Sequence, residues 1–472
     1  MSSDHVVIRN KQDVFDLVNS GALVSRRTWM IVLIALGGTF IDAYDFTSLG
    51  IGAVQLKTQF HLTAFQLGSL TADMAVGALL GAVIGGYYTD RIGRLKMFML
   101  DLILFVVSAI AAALSPDLLW LLGFRFLMGV GVGLDFPAAL SFIAEYTGMQ
   151  RKGRSLNAWQ MMWYIAAFTG FLIILPIYFS GVGPNLWRYA VGIGAIPALV
   201  VFVLRFYYMD ESPMWAASHG DLKGSVKILN ETYGIQAVLD DTAPPTSKQV
   251  HLASSWNEYA QLFSRKYRAR TTLITAIGLT EAMEYYAVAF YLPTISLLIF
   301  GKKFVYAILG SAVFNLFGVL GSALNVVNTP KLGIRRLAII GYSGALAALI
   351  VIGLLEKSLP VFVAAALIAV FITSHAFGPG ATGMTMGAMS YPTSIRGVGA
   401  GYAQGIIRTG SIIGFYFFPL MLAFIGLQHT LLVIGIAPLA GLLVTLAIRW
   451  DPTHKNLENE DEDMQKQGSI GG

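Results

Sequence analysis

Cysteine is absent from the 472 residues, so disulfides, thiolate metal sites and cysteine nucleophiles are excluded. Charge is sparse: Asp, Glu, Lys and Arg together make up 12% of the chain, about half of what a soluble domain carries. Enzyme signatures are missing as well. There is no glycine-rich loop ending in Lys-Ser or Lys-Thr, no H-E-x-x-H and no nucleophile elbow. No metal site and no cofactor is expected. Residues 1–27 are polar and mixed in charge, without the apolar core and small-residue cleavage site of a secretory signal. What fills the space is apolar sequence: 56% hydrophobic residues, with 50 glycines among them, and a mean hydropathy of +0.65. That composition is of a polytopic membrane protein, with glycines where helices pack closely in lipid. The net charge of +5 belongs mostly to loops and tail, and no nucleic-acid partner is read from it.

Apolar runs of about 20 residues or more, long enough to cross a bilayer, are expected near 29–53, 66–88, 97–115, 118–142, 158–180 and 188–207. A polar stretch at 208–268 interrupts them, and six more follow near 271–299, 304–327, 337–355, 360–388, 398–423 and 428–449. The expected organisation is an N-terminal segment 1–27, a six-helix half 28–207, a central loop 208–268, a second six-helix half 269–450 and a tail 451–472. Residues 11–19 have helical apolar spacing, and the acidic stretch Glu458 to Asp463 reads as a disordered tail. Basic residues crowd the loops after spans 2, 4, 8 and 10, with Lys302 and Lys303 after span 7 the exception. This places both termini in the cytoplasm of a cell-membrane protein.

The stretch Gly86-Tyr-Tyr-Thr-Asp90-Arg91-Ile-Gly93-Arg94-Leu-Lys96 joins spans 2 and 3. It resembles the signature loop of the major facilitator superfamily. Asn328 to Arg336 after span 8 reads as a second copy without the Asp. Arg125-Phe-Leu-Met-Gly129-Val-Gly131-Val-Gly133, Glu145 followed by Arg151-Lys-Gly-Arg154, Asp210-Glu-Ser-Pro213-Met-Trp215 and Tyr391-Pro-Thr393-Ser-Ile-Arg396-Gly397 resemble further landmarks of that family. Met389 stands where relatives usually carry Glu. The resemblance implies an all-α fold of twelve transmembrane helices in two homologous six-helix halves, a midplane site between them, and a monomer. It also makes Asp90, Arg91, Arg94, Glu145 and Arg151 the residues of an ionic latch that closes the inner gate.

Ionisable side chains inside apolar runs are costly and mark functional positions. Asp42 and Asp45 lie at i,i+3 in span 1, on one helix face. Two carboxylates so placed favour retention of one proton, as a proton carrier needs, unless they are a structural pair. Asp135, ten residues after Arg125 in span 4, is either a proton carrier or the static partner of that arginine. Glu281 and Glu284 share a face of span 7, beside Tyr285, Tyr286 and Tyr291. The tyrosines offer rings and hydroxyls to a solute, or plain packing. Span 11 carries Gln404 and Arg408 at i,i+4. A mid-span guanidinium stays charged and needs an anion, from the protein or from a substrate. His375 reads as a packing residue, and Trp159 and Trp163 as cavity wall or lipid-facing packing.

Asp42-Ala-Tyr-Asp45 and Arg408 resemble the first-span D-G-x-D and the span-11 arginine of the aromatic-acid and metabolite:proton symporters. Asp135-Phe-Pro137 resembles an element of the phosphate:proton symporters instead, but Ala287, Gly380 and Arg408 stand where that family has Asp, Asn and Lys. Sugar porters share the Glu-Ser-Pro and Tyr-Pro-Thr landmarks, yet their glutamine-rich span-7 motif is missing. The expectation is therefore proton symport of a small organic anion, a carboxylate, aromatic ones included, driven by the proton gradient. Asp42, Asp45, Asp135, Glu281 and Glu284 are its proton-coupling candidates. Arg408, Gln404, Tyr285, Tyr291, Trp163 and Arg125 are its candidates for holding the substrate. Phosphate:proton symport, sugar:proton symport and a non-transporting solute receptor are the alternatives.

Overall fold

The computed structural model describes residues 6–21, 23, 25–240, 257–301, 303–355, 358–455 and 457. Nine helical stretches are long and apolar enough to span a membrane: Arg26–Ala53, Ala64–Ile92, Arg94–Ala113, Leu118–Tyr146, Arg151–Phe179, Gly183–Tyr208, Phe304–Leu332, Ile334–Leu355 and Val361–Met389. Arg268–Val288 and Leu292–Phe300 form a tenth, bent by 44°. The 55-residue stretch Thr393–Ala447 holds two more, because the chain turns at Gly426 with φ 73° and ψ 173°. That left-handed backbone suits a residue without a Cβ. Twelve crossings result among the described residues, numbered below in chain order. Lys302 and the Glu458–Asp463 stretch lie outside those residues.

Leu100, Ile103 and Val107 of span 3 are exposed at spacings that put them on one helix face. Such a stripe would be a liability in water and is ordinary surface in lipid. Inside, spans are drawn together at glycines. Gly77, Gly81 and Gly85 of span 2 lie against the backbone of span 4, where Gly129 and Gly133 face back, and any Cβ would overlap a carbonyl or Cα. Gly86 meets Gly401 of span 11 in the same manner, so span 2 joins both halves.

Several runs that read as continuous in the sequence are broken. Span 7 stops at Val288 and restarts at Leu292, with Pro293 in the first turn of the second piece. Proline lacks the N–H that a continuous helix would use there. Span 10 breaks at Gly378 before Pro379, and span 1 at Leu36.

The polar segments fold onto the face on which the described part of the chain begins and ends. Asn10 caps helix Lys11–Asn19 in a capping box with Asp13. Val6–Ile8 pairs in parallel with Ala237–Leu239 (β1 and β2), tying the N-terminal segment to the central loop. The sequence gives no sign of this two-stranded sheet, because three-residue strands fall below any periodicity signal. The central loop also holds helices Pro213–Ser218 and Leu222–Tyr233.

The glycine seam is testable. Gly133→Val drives two methyls into the span-2 backbone, and overpacking of that kind costs about 1–3 kcal/mol or more. We expect a lower melting temperature in detergent by thermal shift, whereas Gly123→Val, at an open position, leaves it unchanged.

Candidate functional site

Four arginines are exposed by 1% or less: Arg94, Arg125, Arg205 and Arg408. How each is neutralised defines the interior. Arg94 Nη2 meets Asp90 at 2.9 Å and Glu145 at 2.8 Å. Arg125 Nη1 lies 3.1 Å from Asp45 Oδ2, and its Nη2 points at the Met74 sulfur. Arg205 Nη2 lies 2.7 Å from Asp135, and Nη1 lies 3.5 Å from Asp101. Arg408 alone of the four has no carboxylate oxygen within 4 Å among the described residues.

Arg408 is held by neutral groups. With its amide oxygen turned to the guanidinium, Gln404 accepts from Nε at 3.0 Å and Nη2 at 2.9 Å. Nη1 donates to the Tyr286 hydroxyl at 3.2 Å. The rings of Phe46 and Phe136 stand 5.3 and 5.6 Å from the guanidinium carbon, at cation–π range. Around it lies a narrow space lined by Trp159, Gln160, Trp163, Glu281, Tyr285 and His375, among others. It adjoins a second space toward Thr47, Phe290 and Asn315, sharing Trp163, Tyr285 and Tyr286. Trp163 Nε1 donates to the Tyr285 hydroxyl at 2.7 Å. His375 stacks on Tyr285 and sits between two acids: Nδ1 is 3.0 Å from Glu284 Oε1 and Nε2 is 3.7 Å from Glu281 Oε2.

The two spaces hold only about 30 and 10 Å³. Beyond them, on the face opposite the chain ends, opens a vestibule of about 810 Å³ bordered by Lys57, His61, Tyr291 and Phe418. The face with the chain ends is shut. Glu145 reaches Arg396 at 3.6 Å, and Asp90 accepts from the Val398 N–H at 3.2 Å, so charges of spans 2–4 hold the start of span 11. Glu211 accepts from the backbone N–H groups of Arg94 and Leu95 and caps span 3. Burial pushes the Glu211 carboxyl up, and the Arg94 guanidinium and those N–H groups pull against it.

Several candidates sit elsewhere than the sequence suggests. Asp135 pairs with Arg205 rather than Arg125, because ten residues of helix separate Asp135 and Arg125 by about 15 Å along the axis. Arg125 is occupied by Asp45 and lines neither space around Arg408. Tyr291 donates to the Phe415 carbonyl at 2.9 Å and borders the vestibule, away from Arg408. Arg151 is exposed and takes no part in the latch, where Arg396 stands instead. Arg91 folds back over the Tyr87 ring. Asp42 neighbours Asp101 and Asp135.

Asp101 and Arg205 were open to the rule that marks Asp42, an ionisable group inside an apolar run. Each lies near the end of its run, where charge reads as loop. His375 is also more than packing, since two acids hold its ring.

Residues 30–461 match the family model described as sugar (and other) transporter. Among curated relatives, the putative metabolite transport protein YaaU of Escherichia coli (strain K12) is 28% identical, covering 88% of this chain and 90% of that protein. The niacin transporter NiaP of Acinetobacter baylyi is 25% identical over 91% of this chain and 95% of its own. The D-xylose transporter of Levilactobacillus brevis is 28% identical over 90% and 93%. Among solved structures, the proton:xylose symporter XylE bound to 6-bromo-6-deoxy-D-glucose superposes with a TM-score of 0.74 at 20% identity, covering 91% of this chain and 98% of that one. The chain thus belongs to the sugar (and other) transporter family. It has the major facilitator fold and is an integral multi-pass transporter, not an enzyme.

The latch gives a direct prediction. Glu145→Gln removes the charge shared by Arg94 and Arg396. A single cysteine at Met389→Cys, buried in the closed face, then labels several-fold faster with a membrane-impermeant maleimide than in the same variant with Glu145 intact.

Proposed function

We propose that this member of the sugar (and other) transporter family carries a small organic carboxylate together with protons, and that Arg408 is the carboxylate's contact. The observation that supports this is the unmatched guanidinium. Leaving a buried charge uncompensated costs several kcal/mol, and the other three arginines exposed by 1% or less each have an acid within 4 Å. An anion in the space beside Arg408 would supply the missing charge and could bond bidentately to the guanidinium fork. Phe136, Trp163 and Tyr286 give that space an aromatic wall, suited to a flat apolar body on the acid. The similarity to a niacin transporter fits, since niacin is an aromatic carboxylic acid.

In this reading, solute enters from the vestibule while the Asp90–Arg94–Glu145–Arg396 latch is closed. Glu281 borders the same space as Arg408, so a proton on the Glu281–His375–Glu284 group removes its repulsion of the anion. A proton taken up by a span-1 or span-4 acid, Asp42, Asp45 or Asp135, removes a further cost of burying negative charge. The halves then rock about the site, the latch parts, and solute and proton leave. The solute drives this only by binding the two facing states unequally. Basic loop residues support a cell-membrane orientation with both termini cytoplasmic, and the protein would act as a monomer.

A sugar is the second reading. Gln160, Asn315 and Trp163 border the central spaces and could bind hydroxyls and stack a pyranose, and a D-xylose transporter is among the relatives. An uncharged solute leaves Arg408 without a carboxylate in contact, which is why the carboxylate is preferred.

One panel separates the two: labelled benzoate, acetate, phosphate and D-xylose, offered to proteoliposomes with an inward proton gradient. We expect benzoate uptake that falls about tenfold or more in Arg408→Ala, in line with about 1.5–3 kcal/mol for a hydrogen bond to a charged group. Arg408→Lys restores it only in part, because an ammonium cannot form the planar fork. Xylose uptake with both carboxylates inert would instead establish the sugar reading.

A further inference from the structure

We infer that Asp42, Asp101, Asp135 and Arg205 form a proton-binding site separate from both the Asp45–Arg125 pair and the space around Arg408, and that the proton held there is one the transporter moves. The inference rests on the proton-symport reading above and adds a location to it.

Four spans contribute. Asp42 comes from span 1, Asp101 from span 3, Asp135 from span 4 and Arg205 from span 6. All four side chains are buried, and the three acids border one small pocket with Gly38, Phe105 and Gly131. Gly38 matters because a Cβ there would overlap the Asp135 carboxylate, so its absence lets span 4 bring the acid against span 1. Arg205 faces both Asp135, at 2.7 Å, and Asp101, at 3.5 Å, so the two carboxyl groups converge on one cation. Carboxyl groups gathered that closely favour keeping one proton among them.

Charge counting gives the same answer. With three carboxylates ionised around one guanidinium, the cluster would hold a net charge of about −2 in a low-dielectric interior, a state that carboxylates in close contact avoid by sharing a proton. Among the described residues no other cation pairs with these acids within 4 Å. Arg125 is paired with Asp45, Arg94 with Asp90 and Glu145, and Arg408, which acts on Asp42 electrostatically, belongs to the central site.

Position makes the proton transportable rather than merely structural. Asp101 lies seven residues into span 3 from Arg94, about 10 Å along the axis, so the cluster stands between the central site and the closed latch. Arg205 also donates to the Ala35 carbonyl at 3.1 Å, at the break of span 1, and to the Phe98 carbonyl at 3.3 Å. The guanidinium therefore bridges the acids and the hinge. Losing the proton adds negative charge beside Arg205 and draws it from Ala35 toward the acids, which loosens the span-1 break as the latch opens.

Infrared spectroscopy of the purified full chain in lipid reads the proton without any solute. At pH 7, Asp101→Asn and Asp135→Asn should each remove carboxylic-acid C=O intensity equal to one group. The surface variant Asp117→Asn should remove none, and Asp101→Glu should keep the band. Unchanged intensity in both Asn variants would overturn the proposal. The second arm uses benzoate in proteoliposomes. Asp101→Asn should retain benzoate exchange between equal pools yet lose at least tenfold in accumulation driven by a pH gradient. Exchange and accumulation lost together, with Asp101→Glu no better, would reduce the cluster to a structural role and overturn the transport claim. If the wild type moves no protons with any solute in the panel, the symport reading falls and the transported-proton claim falls with it. The infrared arm then reports separately whether the cluster holds a proton.

Discussion

A guanidinium does not lose its charge in a membrane interior, so each buried arginine must find an anion or be held by a cage of neutral acceptors and aromatic rings. Much of this structure follows from that constraint. Arg94 gathers Asp90 and Glu145 and thereby closes one face; Arg125 takes Asp45; Arg205 collects Asp101 and Asp135. Apart from Asp90 and Arg94, which are four residues apart, each pairing ties helices far apart in the chain. Arg408 is the exception, held by Gln404, Tyr286 and two phenylalanine rings, and it lies where the two halves meet.

The second constraint is backbone proximity. Without a hydrophobic force between helices in lipid, close packing and interhelical hydrogen bonds must hold them. The Gly77, Gly81 and Gly85 seam against span 4, and Gly86 against Gly401, provide that approach. Glycine contacts present no long side chains to disentangle when one half slides on the other. The broken helices put flexibility elsewhere: at Leu36 beside the Arg205 cluster, at Ala289 to Tyr291 between the central site and the vestibule, and at Gly378 near His375. Charges that bind and backbones that bend are thus neighbours, which is what coupling a bound ion to a change of shape requires.

Hydropathy, basic-loop placement and the Gly86–Lys96 signature are local properties, and they carried the class, the fold and the run of twelve spans in the sequence alone. Single-residue oddities were legible too: Asp42, Asp135, Glu281 and Arg408 stand out because each violates the composition of the run that contains it. Partnership was not legible. Asp135 read as a proton carrier or as the partner of Arg125 in its own helix, and its ion-pair partner is Arg205, 70 positions further along the chain. Arg151 looked like a latch residue by its place in a motif, yet helix phase turns it outward and leaves Glu145 to Arg396. The β1–β2 pairing and the caging of His375 by two acids likewise join segments that no window of sequence contains. The sequence by itself therefore determined that charged groups would be buried, because burial follows from the hydropathy of their own neighbours. Only the tertiary structure decided which charges neutralise each other and which one is left over, because in a low dielectric that depends on distances of about 3–4 Å between helices, and helix packing alone sets them.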